Sequence, residues 1–411
     1  MLFYNLSIWL FSLAINLAKL FNAKAKLLAD GRKNTPKLLA SFNRNTEQKL
    51  AWFHCASLGE FEQARPIIEA LKTRGDFQIA VSFFSPSGYE VRKNYVHADV
   101  VFYLPADTVA QARFLLDTLK PDFVFLVKYE IWINLINQVK KQAIPLYLVS
   151  ATFSLEFPYF KWYGGIFRKA LHKFSYIFTQ DHASTQLMEK FGFTNVVFSN
   201  DTRYDRVFET CKNPKDLPVV KVFKNEQPVL VLGSSYTHEE ELVAKYLKTT
   251  DANLKVIIAP HVITPQRIAE IEKLFDKYAI LRYSEASLFN AYRAQILLID
   301  NIGLLSSIYQ YADIAVIGGG FGNKGVHNTL EAATFGMPIF IGPNNHQLFP
   351  ETSMLKEAGV LFTINSADDF CVQLLAMLTN NNLRNNIKAQ SQQFIKTNLG
   401  ATQLILNKVL G

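Results

Sequence analysis

This sequence predicts an α/β fold made of two successive Rossmann-like domains, and three observations carry the prediction. The 411 residues suit two domains, because single domains run to about 100–200 residues. From residue 50 onward, short apolar runs alternate with helix-length stretches. That alternation is the mark of a mostly parallel sheet with helices on both faces. A polar, proline-bearing stretch, Thr210–Gln227, then separates two series of such runs and reads as a linker.

The strand candidates of the first series are Ala51–Ala56, Gln78–Phe84, Val100–Leu104, Phe123–Val127, Pro145–Val149 and Tyr176–Thr179. Those of the second are Val229–Leu232, Lys255–Ala259, Ile296–Ile299, Ile314–Ile317, Pro338–Ile341 and Val360–Phe362. The first domain is placed at 23–209 and the second at 228–395. In sheets of this kind ligands sit at the carboxyl ends of the strands. Candidate chemistry is therefore sought just after each run.

Residues 1–18 carry no charged side chain. A spanning helix needs about 20 mostly apolar residues, so this one is of marginal length. Asn5, Ser12, Asn16 and Lys19 fall at helical spacing as one polar stripe. Residues 1–22 are thus expected to form a membrane-associated helix, either lying in the interface or anchoring the chain. A helix simply packed on the domain is the alternative. Lys19, Lys24, Lys26, Arg32, Lys33 and Lys37 follow it. By the positive-inside rule they are expected to keep the body of the protein cytoplasmic, and they could equally grip anionic lipid headgroups of the inner membrane.

Lysine and arginine number 43 against 35 acidic residues, a net charge of +8. That balance fits an anionic partner such as a nucleotide or a phosphorylated glycolipid. No zinc-finger or RRM signature accompanies the charge, so nucleic acid is not expected. Cys55, Cys211 and Cys371 are far apart and form no metal or CxxC pattern. A reduced compartment is the easier fit.

The stretch Ile317-Gly-Gly-Gly-Phe-Gly-Asn-Lys-Gly-Val-His-Asn-Thr-Leu-Glu331 follows a buried strand and leads into a helix. Asn328 and Glu331 have N-cap and capping-box spacing. A glycine loop feeding a helix start suits a phosphate, because free N–H groups face the anion. An ordinary βαβ turn has the same look. The segment through Gly336-Met-Pro338 and Gly342-Pro343 resembles the nucleotide-binding segment of the 3-deoxy-D-manno-octulosonic acid (Kdo) transferases. These are glycosyltransferases of the GT-B fold, two Rossmann-like domains with a cleft between them. The family moves Kdo from CMP-Kdo to a lipid A precursor.

The resemblance extends over nearly all of residues 20–400 and assigns roles in order. Ser57-Leu-Gly-Glu60 resembles the family's Ser-Val-Gly-Glu motif and makes Glu60 the general base. Its spacing also fits a plain capping box. Lys128-Tyr-Glu-Ile-Trp132 resembles Glu-Thr-Glu-Leu-Trp and makes Glu130 a second catalytic carboxylate. The alternative is a Glu130–Lys128 pair. Ser199-Asn-Asp-Thr-Arg-Tyr-Asp205 resembles Gly-Asn-Leu-Lys-Phe-Asp, with Arg203 as the catalytic cation and Asn200 where a glycine is usual. A surface Arg203–Asp205 pair is the alternative.

For CMP, the resemblance implies Pro260 and His261, then backbone at Ile302, Gly303 and Leu304, then Asn328, Thr329, Leu330 and Glu331. The helix N–H groups would take the phosphate and Glu331 the ribose hydroxyls. The loop Gly233–Glu240 also follows a strand and ranks below these. The resemblance further implies that residues 396–411 form a helix crossing back onto the first domain. No cofactor or metal is expected, since no Asp-x-Asp motif follows a strand. Two rivals remain: a UDP-sugar GT-B enzyme, whether lipid-linked glycosyltransferase or epimerase, and a non-catalytic glycolipid-binding protein on this fold.

Overall fold

The computed structural model describes residues 1–250, 253–323 and 325–411. Lys324, inside the glycine-rich stretch, lies outside the described residues. The chain divides into two compact units, Met1–Arg206 with Leu399–Gly411, and Val207–Asn398.

The first unit holds a seven-stranded parallel sheet in the order β3-β2-β1-β4-β5-β6-β7. Its strands are β1 (Lys49–Cys55), β2 (Phe77–Phe83), β3 (Val100–Tyr103), β4 (Phe123–Val127), β5 (Leu146–Ala151), β6 (Tyr176–Thr179) and β7 (Val196–Phe198). Central strands buried on both faces read as near-continuous apolar runs, and β2 is buried at every position. Alternate residues feed two cores. Leu50, Trp52 and Leu126 pack with Leu115 and Ile136 on one face. Ala51, Phe53 and Phe125 pack with Phe61, Ile68 and Ile405 on the other. Each such large side chain contributes about 1.5–3 kcal/mol on burial.

The second unit repeats the design, with strand order β10-β11-β9-β8-β12-β13-β14. Here β8 is Val229–Ser235, β9 Lys255–Pro260, β10 Ile280–Arg282, β11 Ile296–Leu298, β12 Ile314–Ile317, β13 Ile339–Ile341 and β14 Leu361–Thr363. All pairings are parallel in both sheets.

Two strands escaped the sequence reading, β7 and β10. Both are three-residue strands at a sheet edge, half-buried throughout, so neither shows a buried run. The stretch Thr210–Gln227, read as a polar linker, contains the helix Pro218–Lys224. Its Val220 and Phe223 are fully buried, and Pro218 opens it, where a missing N–H costs nothing. The chain end is two helices rather than one, Asn381–Asn398 and Ala401–Leu410. Gly400, in a left-handed conformation (φ 103°), breaks them. Asp205 then accepts from the Gly400 and Thr402 backbone N–H groups, both at 2.7 Å.

The N-terminal helix runs Leu2–Ala18. Tyr4, Ile8, Ser12, Ile15 and Lys19 form its half-buried line, a 3.6-residue repeat. Of the expected polar stripe, Ser12 and Lys19 fall on this line, while Asn5 and Asn16 are exposed. Leu2, Phe3, Leu6, Trp9, Leu10, Leu13 and Leu17 stand outward, exposed. Among the described residues no single helix is long and apolar enough to cross a membrane. The pair Leu2–Ala18 and Ala23–Ala40 passes that test together but is bent by 118°.

Candidate active site

The carboxyl edge of the first sheet collects acidic side chains. Strands β1 and β4 are hydrogen-bonded neighbours, so the turns that follow them lie side by side. The turn after β1 begins the helix Leu58–Arg74, with Ser57 at its N-cap. Ser57 donates from its backbone N–H to Glu60 Oε2 at 2.6 Å, and its hydroxyl donates to the same oxygen. The capping box is therefore formed, and it occupies only one carboxylate oxygen. Oε1 accepts no hydrogen bond among the described residues.

The turn after β4 is strained. Lys128 sits at φ +63°, a region costly for a residue with a Cβ and most often seen at functional sites. The strain throws Lys128 away from Glu130. Its ammonium lies 5.6 Å from the Tyr129 ring centroid, and the alternative Lys128–Glu130 pair is not formed. Glu130 Oε2 instead accepts from the Trp132 indole N–H at 2.8 Å. The same oxygen lies 3.4 Å from His54 Nε2, an ion-pair distance that is long for a hydrogen bond.

His54 is fully buried and was not singled out from the sequence. The Trp52 indole donates to Ser82 Oγ at 2.9 Å, and His54 Nδ1 lies 3.0 Å from that oxygen. Ser82 Oγ also lies 3.5 Å from the Phe53 carbonyl, so its hydroxyl has two possible acceptors, while His54 Nε2 faces Glu130. Beside this group, the buried Cys55 thiol is pushed well above its ordinary value, first by burial and then by Glu60, Glu130 and Glu62. Three carboxylates therefore act on one point at the end of β1.

Arg203 follows β7 at the sheet's far edge, yet its segment is drawn back to the helix that carries Glu60. Thr202 Oγ1 donates to Gln63 O at 2.5 Å, and Arg206 pairs with Glu62. Arg203 pairs with Asp201 at 2.7 Å, while Asp205 accepts from Gly400 and Thr402. Asn200 is left-handed at φ +70°. Asparagine is among the few non-glycine residues that tolerate this, which accounts for its place in a glycine position.

In the second unit, the loops after β8, β9 and β12 converge. These strands are adjacent in the order β9-β8-β12. The chain leaves β12 hard against β8, so that a Cβ on Gly318 would lie 2.0 Å from Ser234 O. Behind it, Gly320 and Gly342 meet backbone to backbone. His261, after Pro260 of β9, stacks on His327 with centroids 4.4 Å apart. Tyr236 OH lies 3.1 Å from His327 Nε2. Glu239, 1% exposed, accepts from Gly319 N and Tyr236 N, both at 3.0 Å. Burial raises its pKa despite those bonds. Tyr236 and Glu239 belong to the loop Gly233–Glu240, which ranked below the other segments from sequence, and His327 to the glycine-rich stretch after β12.

The helix after the glycine loop is Leu330–Phe335, with Thr329 rather than Asn328 in the cap position. Asn328 still supports that start, accepting from Leu330 N at 3.1 Å and donating to Glu331 Oε1 at 3.0 Å. Glu331 raises the pKa of the buried Tyr309 and Cys211, burial being the larger cause; Cys211 is pushed up to about 12. Ile302, Gly303 and Leu304 lie beyond β11, with β9 and β8 between that strand and β12. Ile302 is exposed and Gly303 is left-handed at φ +92°.

Two all-parallel sheets, each with its side-chain groups gathered past the carboxyl edge, define a GT-B protein. A UDP-GlcNAc 2-epimerase from Neisseria meningitidis, solved with UDP-GlcNAc bound, has this fold. It matches with a TM-score of 0.60 at 13% identity, over 88% of this chain and 99% of that one. Sequence narrows the class. Residues 33–206 match the family model of 3-deoxy-D-manno-octulosonic-acid transferases. The enzyme of that name from Aquifex aeolicus is 28% identical over 333 residues, 80% of this chain and 86% of its own length. That of Haemophilus influenzae is 27% identical over 371 residues, 87% and 85% respectively. The chain is similar to Kdo transferases over most of its length, and these relatives indicate a glycosyltransferase.

Proposed function

We propose that this protein transfers Kdo from CMP-Kdo to a lipid A precursor, with inversion at the anomeric carbon. One observation carries the reading. Two glutamates, Glu60 and Glu130, follow the paired strands β1 and β4 inside the segment that matches the family. Glu60 has one carboxylate oxygen anchored by Ser57 and the other without a bond. That oxygen takes the proton of the attacking acceptor hydroxyl. The acceptor oxygen bonds to the anomeric carbon as the bond from that carbon to the CMP phosphate breaks. The electron pair leaves with CMP, and the proton stays on Glu60. Glu130, oriented by Trp132 and His54, positions the acceptor. Arg203 offsets negative charge on the sugar carboxylate or the departing phosphate.

CMP is held by the second unit. Backbone N–H groups of the glycine loop and of Asn328–Leu330 face the phosphate, and Glu331 accepts from the ribose. Pro260, His261 and the backbone at Ile302–Leu304 complete the nucleotide contacts. The design uses no metal and no cofactor. The outward apolar side of the N-terminal helix and the lysines after it support a location at the cytoplasmic face of the inner membrane, against anionic lipid.

A UDP-sugar enzyme on the same fold is the alternative, favoured only by the likeness of fold. Ser57-Leu-Gly-Glu60 and Glu130-Ile-Trp132 speak against it. Calorimetry decides the donor half. Binding of CMP with no heat from UDP is the expected result, and UDP binding tighter than CMP would overturn it.

A further inference from the structure

The N-terminal helix has a second side. While its apolar face stands outward, its inner line reaches the segment that carries Glu130. The Tyr4 hydroxyl donates to Asp107 Oδ2 at 2.5 Å and accepts from Ile133 N at 3.3 Å. Asp107 is nearly fully buried and accepts from Asn134 N at 2.9 Å and Leu135 N at 2.8 Å. Ile133, Asn134 and Leu135 are the first three residues of the helix Ile133–Lys141. Its own cap residue, Trp132, makes no side-chain cap bond. The free N–H groups of that first turn are therefore satisfied by Tyr4 and Asp107. Asn5 adds a bond from Asn134 Nδ2 at 2.9 Å, and Asn134 Nδ2 also donates to Asp107 O at 2.6 Å.

A second connection is aromatic. Phe11 stacks on Phe84 with centroids 5.9 Å apart, and Phe84 stacks on Trp132 at 5.5 Å. Trp132 is the residue whose indole N–H holds Glu130. Phe11 lies seven residues after Tyr4, two helical turns on, so both contacts leave one side of the helix.

We propose that Tyr4 is a positioning residue for Glu130, so that the N-terminal helix, besides offering an apolar face, sets the geometry of the active segment. Tyr4 fixes the start of the helix Ile133–Lys141, and the turn before that helix carries Glu130. The role given to Glu130 rests on the function proposed above. A purely anchoring helix would need neither the buried carboxylate nor the bond to Ile133.

The test compares Tyr4→Phe, which keeps the ring and removes the hydroxyl, with Trp9→Ser on the outward face, both in the full chain. Three quantities are read: kcat and donor KM on a detergent-dispersed lipid A precursor, binding to anionic phospholipid vesicles, and amide exchange at Ile133–Leu135. Tyr4→Phe should lower kcat about tenfold with donor KM and vesicle binding unchanged, and should speed exchange at those amides. Trp9→Ser should weaken vesicle binding and leave kcat and exchange as they were. Wild-type kcat and wild-type exchange in Tyr4→Phe would overturn the proposal. If the wild type transfers nothing, the function reading fails, while the exchange measurement still decides whether Tyr4 holds this segment.

Discussion

The two carboxyl edges are built from opposite materials. The edge of the first sheet is held by side chains. Glu60 is tied to Ser57, Glu130 to Trp132 and His54, and Arg203 to Asp201. At the edge of the second sheet backbone meets backbone, Gly318 against Ser234 and Gly320 against Gly342, and Gly319 N rests on the buried Glu239 side chain. The difference follows from what each edge is proposed to do. Proton transfer needs carboxylates fixed in direction. Holding a phosphate needs main-chain N–H groups at close range, where any Cβ obstructs. Substitutions at the first edge should therefore damage turnover and spare binding, and those at the second should damage folding and nucleotide binding together.

The largest effect is expected at Glu60. Glu60→Gln keeps the shape and removes the base, so kcat should fall by about 10²–10⁴ while CMP affinity in calorimetry stays the same. Intact turnover would remove Glu60 from the mechanism whatever the fold. Next, Gly318→Val places a side chain where the Ser234 carbonyl already stands. Overpacking of this kind costs about 1–3 kcal/mol. Denaturant unfolding should report that loss, and CMP binding should weaken with it.

A smaller effect distinguishes the two partners of Glu130 Oε2. Glutamine can present an N–H where His54 Nε2 stands, and asparagine is too short to do so. His54→Asn should lower kcat about tenfold, equivalent to about 1.4 kcal/mol, and His54→Gln by less, with donor KM unchanged in both. Equal kcat in the two variants would mean that His54 acts only as core.

The second edge also predicts a pH dependence. Burial raises the pKa of Glu239 above its ordinary 4.5. The native state then holds a proton that the unfolded state has released, so stability falls as pH rises from 4.5 to the raised value and levels off above it. Unfolding free energy measured across that range should show this slope, and Glu239→Gln should flatten it. Least of all, Arg203→Lys keeps the charge but loses the double contact of Nε and Nη2 on Asp201 Oδ2. Its cost in kcat should stay within about 1 kcal/mol.

How much of this was legible in the sequence depends on distance along the chain. Strands such as β2 and β12 announced themselves as buried apolar runs, whereas β7 and β10 did not, being short and at an edge. Glu60 and Glu130 were singled out because their segments, each after a strand, resemble the family's motifs. Their supports were not. Tyr4 meets Asp107 across 103 residues, and Trp52 meets Ser82 across 30, and no local pattern encodes such pairs. The alternative Glu130–Lys128 pairing, open from spacing, is absent because Lys128 is left-handed, with its side chain over Tyr129. The cap of the helix Leu330–Phe335 shifted by a single residue, the usual margin for helix ends.

One measurement tests the central claim most directly. The wild-type chain is incubated with CMP-Kdo and a tetraacylated lipid A precursor, and the products are weighed by mass spectrometry. The account predicts release of CMP together with acceptor heavier by whole Kdo units, and the mass counts the additions. A folded sample that transfers nothing from CMP-Kdo, yet consumes a UDP-sugar, would contradict it and leave only the fold standing.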